Sequence, residues 1–439
     1  MLTLKQETML GNVPNDWAVK PLKKLLKFNA PGDWGDDGGP NMYRVLRSTN
    51  LTNKRRLNLS DIALRALKPE KAEQLSPRKG DILLERSGGG PDQPVGRVGY
   101  VPDDLPSHAF SNFLHLLRPN AAEINPAFLS WVLFQVNRTG RILRLEQQTT
   151  QMRNLNFRDY LTMPLPVPPP DEQTAIALVL DGVDAAIDRA QQAATRAVAV
   201  KRALAQELFS KGTRGEQQKK TSIGFIPKSW EVKPVNAVVT NLEYGLSLPM
   251  HLKGATPILR MGNIQQGDVV MEELKYVTLS NALLERYSLK RGDVLFNRTN
   301  SQEWVGKVGI YRSDAPAVFA SYLIRLHTDA EQVDNYYLGQ LLNSYNAQCR
   351  IKRFATPGVQ QVNINAKNLG KVLIPVPIGS SGLDEQNEIA ALLEAADARS
   401  RSYAPVIATL GQLKKSLMQD LLTGSVRVDP SLLKKEAAK

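Results

Sequence analysis

The chain is written twice, and this limits its fold more than any other feature. Pro14-x-x-Trp17-x-Val19-Lys20-Pro21 returns as Pro227-x-x-Trp230-x-Val232-Lys233-Pro234, and Leu46-Arg47-x-x-Asn50-Leu51 as Leu259-Arg260-x-x-Asn263-Ile264. Gly80-Asp81-Ile82-Leu83 returns as Gly292-Asp293-Val294-Leu295, each with an arginine just beyond, Arg86 and Arg298. Val95-Gly96-Arg97-Val98-Gly99 matches Val305-Gly306-Lys307-Val308-Gly309, Asn154-Leu155-Asn156 matches Asn363-Ile364-Asn365, and Asp171-Glu172-Gln173 matches Asp384-Glu385-Gln386. All six segments keep their order at an offset of 209–213 residues. Whatever one half builds, the other must build again.

Each half has one plan. A segment of roughly 150 residues comes first, with short apolar runs broken by Gly, Pro and Asn, which reads as an α+β globule. Strands are expected at Asp81–Leu84, Arg97–Val101, Val294–Phe296 and Lys307–Tyr311, and helices at Pro126–Val136 and Asn335–Leu342. A proline-rich exit follows (Pro164, Pro166, Pro168, Pro169 and Pro170; then Pro375 and Pro377), expected to be a stiff connector outside any sheet interior. Then comes a long helix, opened by carboxylates where the helix dipole favours them. Apolar or small residues recur in steps of four and three from Ile176 to Leu208 and from Ile389 to Leu421, a coiled-coil spacing. Lys201 and Lys414 break the stripe in the same slot, where a lone lysine fixes register. Pro405 should kink or interrupt the second helix, and Gly212 and Gly424 should end the two. The expected division is globule 1–170, helix 171–212, linker 213–223, globule 224–383, helix 384–424 and tail 425–439.

The formal charge of +13 is uneven. Residues 171–212 carry five Lys/Arg against six Asp/Glu, and 384–424 carry four against six, so the excess lies on the globules. A protein gripping a polyanion at two points should look like this. Loops rich in Arg, Asn, Gln and Ser could read base edges or phosphates. The first globule offers Arg47, Asn50, Arg86, Ser87, Gln93, Arg97, Arg141, Arg144, Gln147 and Gln148. The second offers Arg260, Asn263, Asn297, Arg298, Asn300, Ser301, Lys307, Arg350, Lys352, Arg353, Gln360 and Gln361. The loops differ between halves while the flanking frame repeats.

Catalytic signatures are missing. The sequence has no G-x-x-x-x-G-K-[ST] phosphate loop, no G-x-S-x-G elbow and no H-E-x-x-H helix. It also lacks the Asn-Pro-Pro-aromatic or Asp-Pro-Pro-aromatic tetrapeptide of amino-methyltransferases. One cysteine, Cys349, and four scattered histidines give no metal-ligand spacing and no disulfide framework, which fits a cytoplasmic protein. No apolar run suggests a membrane span or a signal peptide.

The tandem plan, the Gly-Asp-Ile/Val-Leu and Val-Gly-Arg/Lys-Val-Gly segments, and the proline exit into Asp-Glu-Gln together resemble the specificity subunit of Type I restriction-modification enzymes, over about residues 11–424. The resemblance implies two repeated target recognition domains separated by two long antiparallel coiled-coil helices with pseudo-two-fold symmetry. It implies that each domain reads half of a split site in double-stranded DNA. The partners would be two methyltransferase subunits and restriction/translocase subunits. S-adenosylmethionine, ATP and magnesium would belong to those partners and not to this chain. An orphan DNA-binding or adaptor protein of the same fold would carry the same sequence features, and so would an enzyme with an unrecognised site. A clean preparation of this chain alone should neither cleave nor methylate DNA; methyl transfer by it would overturn the reading.

Overall fold

The computed structural model describes residues 6–90, 93–148, 152–358, 361–429 and 431. It divides into two compact units. One runs through Arg189 and resumes at Val406; the other is Ala190–Pro405. The division cuts both long helices, so each unit holds one globule, part of its own helix and part of the other. Each globule core includes residues of both helices, which is how an amphipathic helix buries its apolar stripe.

In the first unit a four-stranded antiparallel sheet runs in the order Leu26–Pro31, Leu114–Pro119, Ile82–Glu85, Val98–Tyr100. In the second the order is Val239–Tyr244, Leu323–Thr328, Val294–Asn297, Val308–Ile310, with two further short strands beyond. The central strand is apolar on both faces because both are covered. Ile82 and Leu84 face the core that contains helix Pro126–Arg138, while Leu83 belongs to a second core. Val294 and Phe296 divide from Leu295 in the same way. Gly80 and Gly292 enter these strands at φ +89° and +93°, a conformation open to glycine.

Two expectations need correction. The proline exits are strands: Pro164–Val167 pairs with Ala18–Pro21, and Leu373–Pro377 with Trp230–Pro234. Each ladder has only two strands, so a proline can turn its missing donor to the free edge. The supposed linker contains strand Gln218–Thr221, paired with Gly224–Pro227. It mirrors Gln6–Thr8 on Gly11–Val13, and Thr8 and Thr221 each donate to the glycine carbonyl across the hairpin at 2.7 Å.

The first long helix spans Pro170–Lys211. The second is two helices, Gly382–Arg401 and Tyr403–Leu422, interrupted at Ser402. Pro405 has no N–H to continue the ladder there but is tolerated in the first turn of a new helix. Within each unit the helix pairing is antiparallel. In the first, Glu172 meets Arg427 and Asp184 meets Lys414; in the second, Thr213 meets Glu385 and Lys201 meets Asp397. Both seam lysines therefore have a carboxylate, and the carboxylates are repeat mates of each other. Burial pushes the Asp184 carboxyl up, but Lys414 and Arg56 together hold it below the usual carboxylate range. Burial concentrates where the helices meet the globules, at Ile176, Leu180, Leu421 and Leu422, and at Leu208, Ile389 and Leu393.

A turn of each globule clamps this helix pair with different chemistry. In the first unit Arg55 pairs with Asp181, and Arg56 with Asp184 and Asp188. In the second, Asp268 takes both Arg312 and Arg401, and Arg312 also holds Glu394. Asp181 and Glu394 are repeat mates with the same sign; Asp188 and Arg401 are repeat mates with opposite sign. Arg56→Asp should therefore lower the stability of the first unit by about 1 kcal/mol, since the site is partly exposed, and Asp188→Arg in the same chain should recover much of it. Denaturant titration of the two variants checks this; an additive double mutant would show that the pair does not couple.

Candidate nucleic-acid interface

Two candidate loops far apart in sequence meet in each unit. In the first, Ser87–Gly89 pairs with Arg153–Leu155, which pairs with Glu146–Gln148, making a three-stranded ribbon. In the second, Thr299–Asn300 pairs with Val362–Asn363, and that strand with Thr356–Pro357. The repeated Asn-Leu/Ile-Asn segment is the hinge of the ribbon. Leu155 N donates to Arg86 O at 2.8 Å, and Ile364 N to Arg298 O at 2.9 Å. The second asparagine, Asn156 or Asn365, caps the next helix, its side chain accepting from Asp159 N or Asn368 N.

Several candidates prove to be parts of the frame. Asn50 and Asn263 are 2–3% exposed. Asn50 accepts from Arg47 N and donates to Asn58 O and Asp61 O. Asn263 accepts from Arg260 N and donates to Val270 O and Glu272 O. An amide with both donors used and this little exposure is not presented to a base edge. Arg97 forms a two-pronged pair with buried Glu85 and donates to Leu51 O and Ser48 O. Asn297 is 1% exposed. Arg141 donates to Met9 O and tethers the first hairpin. Arg350 Nε donates to Leu373 O.

Others are at least partly exposed. Arg144, Gln147, Ser301, Arg353 and Gln361 are exposed; Arg47, Arg86, Ser87, Gln93, Arg260, Arg298, Asn300, Lys307 and Lys352 are half-buried. Arg86 lies 5.7 Å from the Phe157 ring centre and Arg298 lies 5.1 Å from that of Tyr244, so both guanidiniums are presented on aromatic faces. Gln360 and the Gln148 side chain lie outside the described residues, as do Pro91 and Asp92 of the first loop and most of the tail.

Two aromatic residues were missed. Phe113 and Tyr322 are repeat mates, each 37% exposed. Phe113 O accepts from Arg86 N and Tyr322 O from Arg298 N. A seventh repeat would have found them, Phe110-x-x-Phe113-Leu114 against Phe319-x-x-Tyr322-Leu323. Each unit thus sets an arginine, an exposed aromatic ring and a polar ribbon side by side. The set suits phosphate grip, stacking and edge hydrogen bonds. Among the described residues no group of three His, Cys, Asp or Glu could hold a metal ion, and no helix is long and apolar enough to cross a membrane.

A family model described as Type I restriction modification DNA specificity domain matches residues 14–195 and 227–403, once per half. The EcoKI specificity subunit of Escherichia coli is 21% identical, over 95% of this chain and 90% of that protein. The MjaVIII specificity subunit of Methanocaldococcus jannaschii is 25% identical, over 68% of this chain and 70% of its own length. Among solved structures, the S subunit of a Type I restriction-modification system from M. genitalium shares the fold with a TM-score of 0.58 at 14% identity, covering 95% of this chain and 99% of that one.

His115 lies behind the first ribbon, 3% exposed, with Nε2 at 3.0 Å from Asn29 Oδ1 and Nδ1 without a partner. Burial, and then the Arg86 charge, pull its pKa down to about 4. The unfolded chain takes this proton near pH 6.5 and the folded one only near 4. Stability is thus fully present above the unfolded value and is lost as pH falls through that window. His115→Gln should lose less stability than the parent between pH 7.5 and 4.5, read by thermal melts. Equal losses would exclude His115 as a source of the acid sensitivity.

Proposed function

The chain belongs to the Type I restriction modification DNA specificity domain family, and from that premise we propose that it is the non-catalytic DNA-reading subunit of a restriction-modification complex. The observation that carries the reading is the pair of ribbons, built on one repeated frame but bearing different side chains. Two readers of different surface fit a bipartite, non-palindromic site in double-stranded DNA, one half per unit. The partners are two methyltransferase subunits and restriction/translocase subunits, which bring S-adenosylmethionine, ATP and magnesium to a cytoplasmic complex. This chain takes none of these cofactors itself. The long helices, paired antiparallel as a coiled coil and related by a pseudo-two-fold, act as the ruler between half-sites. The reciprocal ion pairs of Lys201 and Lys414 support that role, since each fixes helix register.

One heptad adds about 10.5 Å of helix and duplex DNA rises about 3.4 Å per base pair. Inserting a heptad into both helices should lengthen the unread gap by roughly three base pairs and leave the bases read unchanged. Some affinity should be lost, because the half-sites also rotate. Methylation mapping with the lengthened chain and its methyltransferase partner is the measurement. An active lengthened protein that kept the original gap would sink the ruler; absence of any sequence-selective methylation with the parent chain would sink the function.

A further inference from the structure

One buried charge of the first half, Glu85, is replaced by an amide in the second. Glu85 N donates to Arg97 O at 2.8 Å, and the side chains form an ion pair at 2.6 Å with the carboxylate 1% exposed. The same backbone bond joins Asn297 N to Lys307 O at 2.8 Å. Here the acid has become an amide. Asn297 Oδ1 has no partner, and Lys307 has no ion-pair partner among the described residues. Burial, and then the neighbouring Lys352, pull Lys307 below the usual lysine range, with Glu303 opposing.

Lys307 opens onto a cleft of about 480 Å³ inside the second unit. Arg202, Arg350 and Lys352 line it too, and no Asp or Glu does. Lys201 also reaches it but is held by Asp397. The other cations find only neutral groups. Arg350 Nε donates to Leu373 O at 2.9 Å, Lys352 Nζ donates to Glu303 O at 3.0 Å, and Arg202 lies 4.9 Å from the Tyr345 ring centre. On the same wall, Gln348 is 7% exposed; its amide nitrogen donates to Gly306 O and Leu342 O, and its Oε1 is left without a partner.

Lys307, Arg350 and Lys352 are partly withdrawn from water around one cleft, and none of the three has an ion-pair partner among the described residues, Glu303 acting on Lys307 only through space. Guanidinium and ammonium donors together match the oxygens of a phosphate. We propose that this cleft is an oxyanion site for a phosphate group, and that in the working protein the group is a backbone phosphate of bound DNA. The second clause rests on the DNA-reading function proposed above; the first does not. The first unit has no such grip at this position, because Glu85 already neutralises Arg97.

The test uses the full chain with Lys307→Met, Lys307→Arg, and Asn297→Glu, which rebuilds the first half's ion pair. Each phosphate contact adds about 0.9 to the slope of log affinity against log salt. Between 50 and 200 mM salt, Lys307→Met and Asn297→Glu should each lose roughly 3.5-fold less affinity than the parent, on every DNA sequence alike, and Lys307→Arg should behave as the parent. In a second arm, inorganic phosphate replaces chloride at equal ionic strength; beyond the general stabilisation of any fold by phosphate, it should raise the Tm of the parent more than that of Lys307→Met. A phosphate response reduced in Lys307→Met with an unchanged DNA slope would keep the oxyanion site and overturn its assignment to DNA in favour of free phosphate. If the parent bound no DNA, the proposed function would fail while the phosphate arm still read the site. Equal slopes and equal phosphate responses in parent and Lys307→Met would overturn the proposal.

Discussion

At the start of each long helix a glutamate is taken out of water. Glu172 and Glu385 are both 4% exposed, and each accepts the indole N–H of a tryptophan, Trp17 at 3.1 Å and Trp230 at 2.9 Å. An isolated buried carboxylate would be costly, and the surroundings offset it. In the first unit Arg427 completes the site with two bonds; in the second the Thr213 backbone N–H does. The next residue acts as well. Gln173 accepts from Asn125 N and Gln386 from Asp334 N, anchoring the N-terminus of each covering helix. One short motif thus joins the globule, the start of its own helix and the end of the other. If this junction opened, the halves of the two helices in each unit would keep only the Lys414–Asp184 or Lys201–Asp397 pair and their apolar contacts to hold them together.

The repeat separates frame from surface. Glycines at positive φ, the aspartate before the central strand (Asp81 accepting from Arg78 N, Asp293 from Lys290 N) and the Trp–Glu junction recur in both halves because each has one workable geometry. The clamps on the helix pair do not recur. Arg55 and Arg56 face an acidic helix stripe in one unit, and Asp268 faces arginines in the other. A long-range ion pair needs only complementary charge, so its two sides can exchange sign without changing the backbone. The Glu85–Arg97 pair changes differently: at Asn297 and Lys307 the backbone pairing is kept, but the acid has become an amide and the cation stays without an ion-pair partner among the described residues.

The fold was legible wherever geometry left a local trace. Central strands, covering helices and long helices all fell near their expected places, because apolar period and turn residues report on the chain's immediate neighbours. The proline exits were misread because whether an extended segment is a strand there depends on a partner far away in sequence, Ala18–Pro21 or Trp230–Pro234; the linker strand pairs locally with Gly224–Pro227, in a hairpin that its polar composition hid. Among candidate DNA-contacting residues the loops themselves were legible from composition. Composition could not sort Asn50 from Arg144, since a polar side chain looks the same whether it ties a loop or faces solvent. Phe113 and Tyr322 were visible as a repeat and were passed over, because lone aromatic residues read as core.

The sequence by itself determined that this protein is a duplicated α+β chain with one repeated frame and a long helical segment closing each half, since repeat offset, periodicity and glycine placement are properties of the linear chain. Only the tertiary structure decided which charges are neutralised. Lys201 and Lys414 looked like breaks in an apolar seam until Asp397 and Asp184 came opposite them, and Arg97 looked like a DNA contact until Glu85 met it. The reason is physical: the energy of a charge is set by its distance to other charges and to water, and neither distance is written in the order of residues.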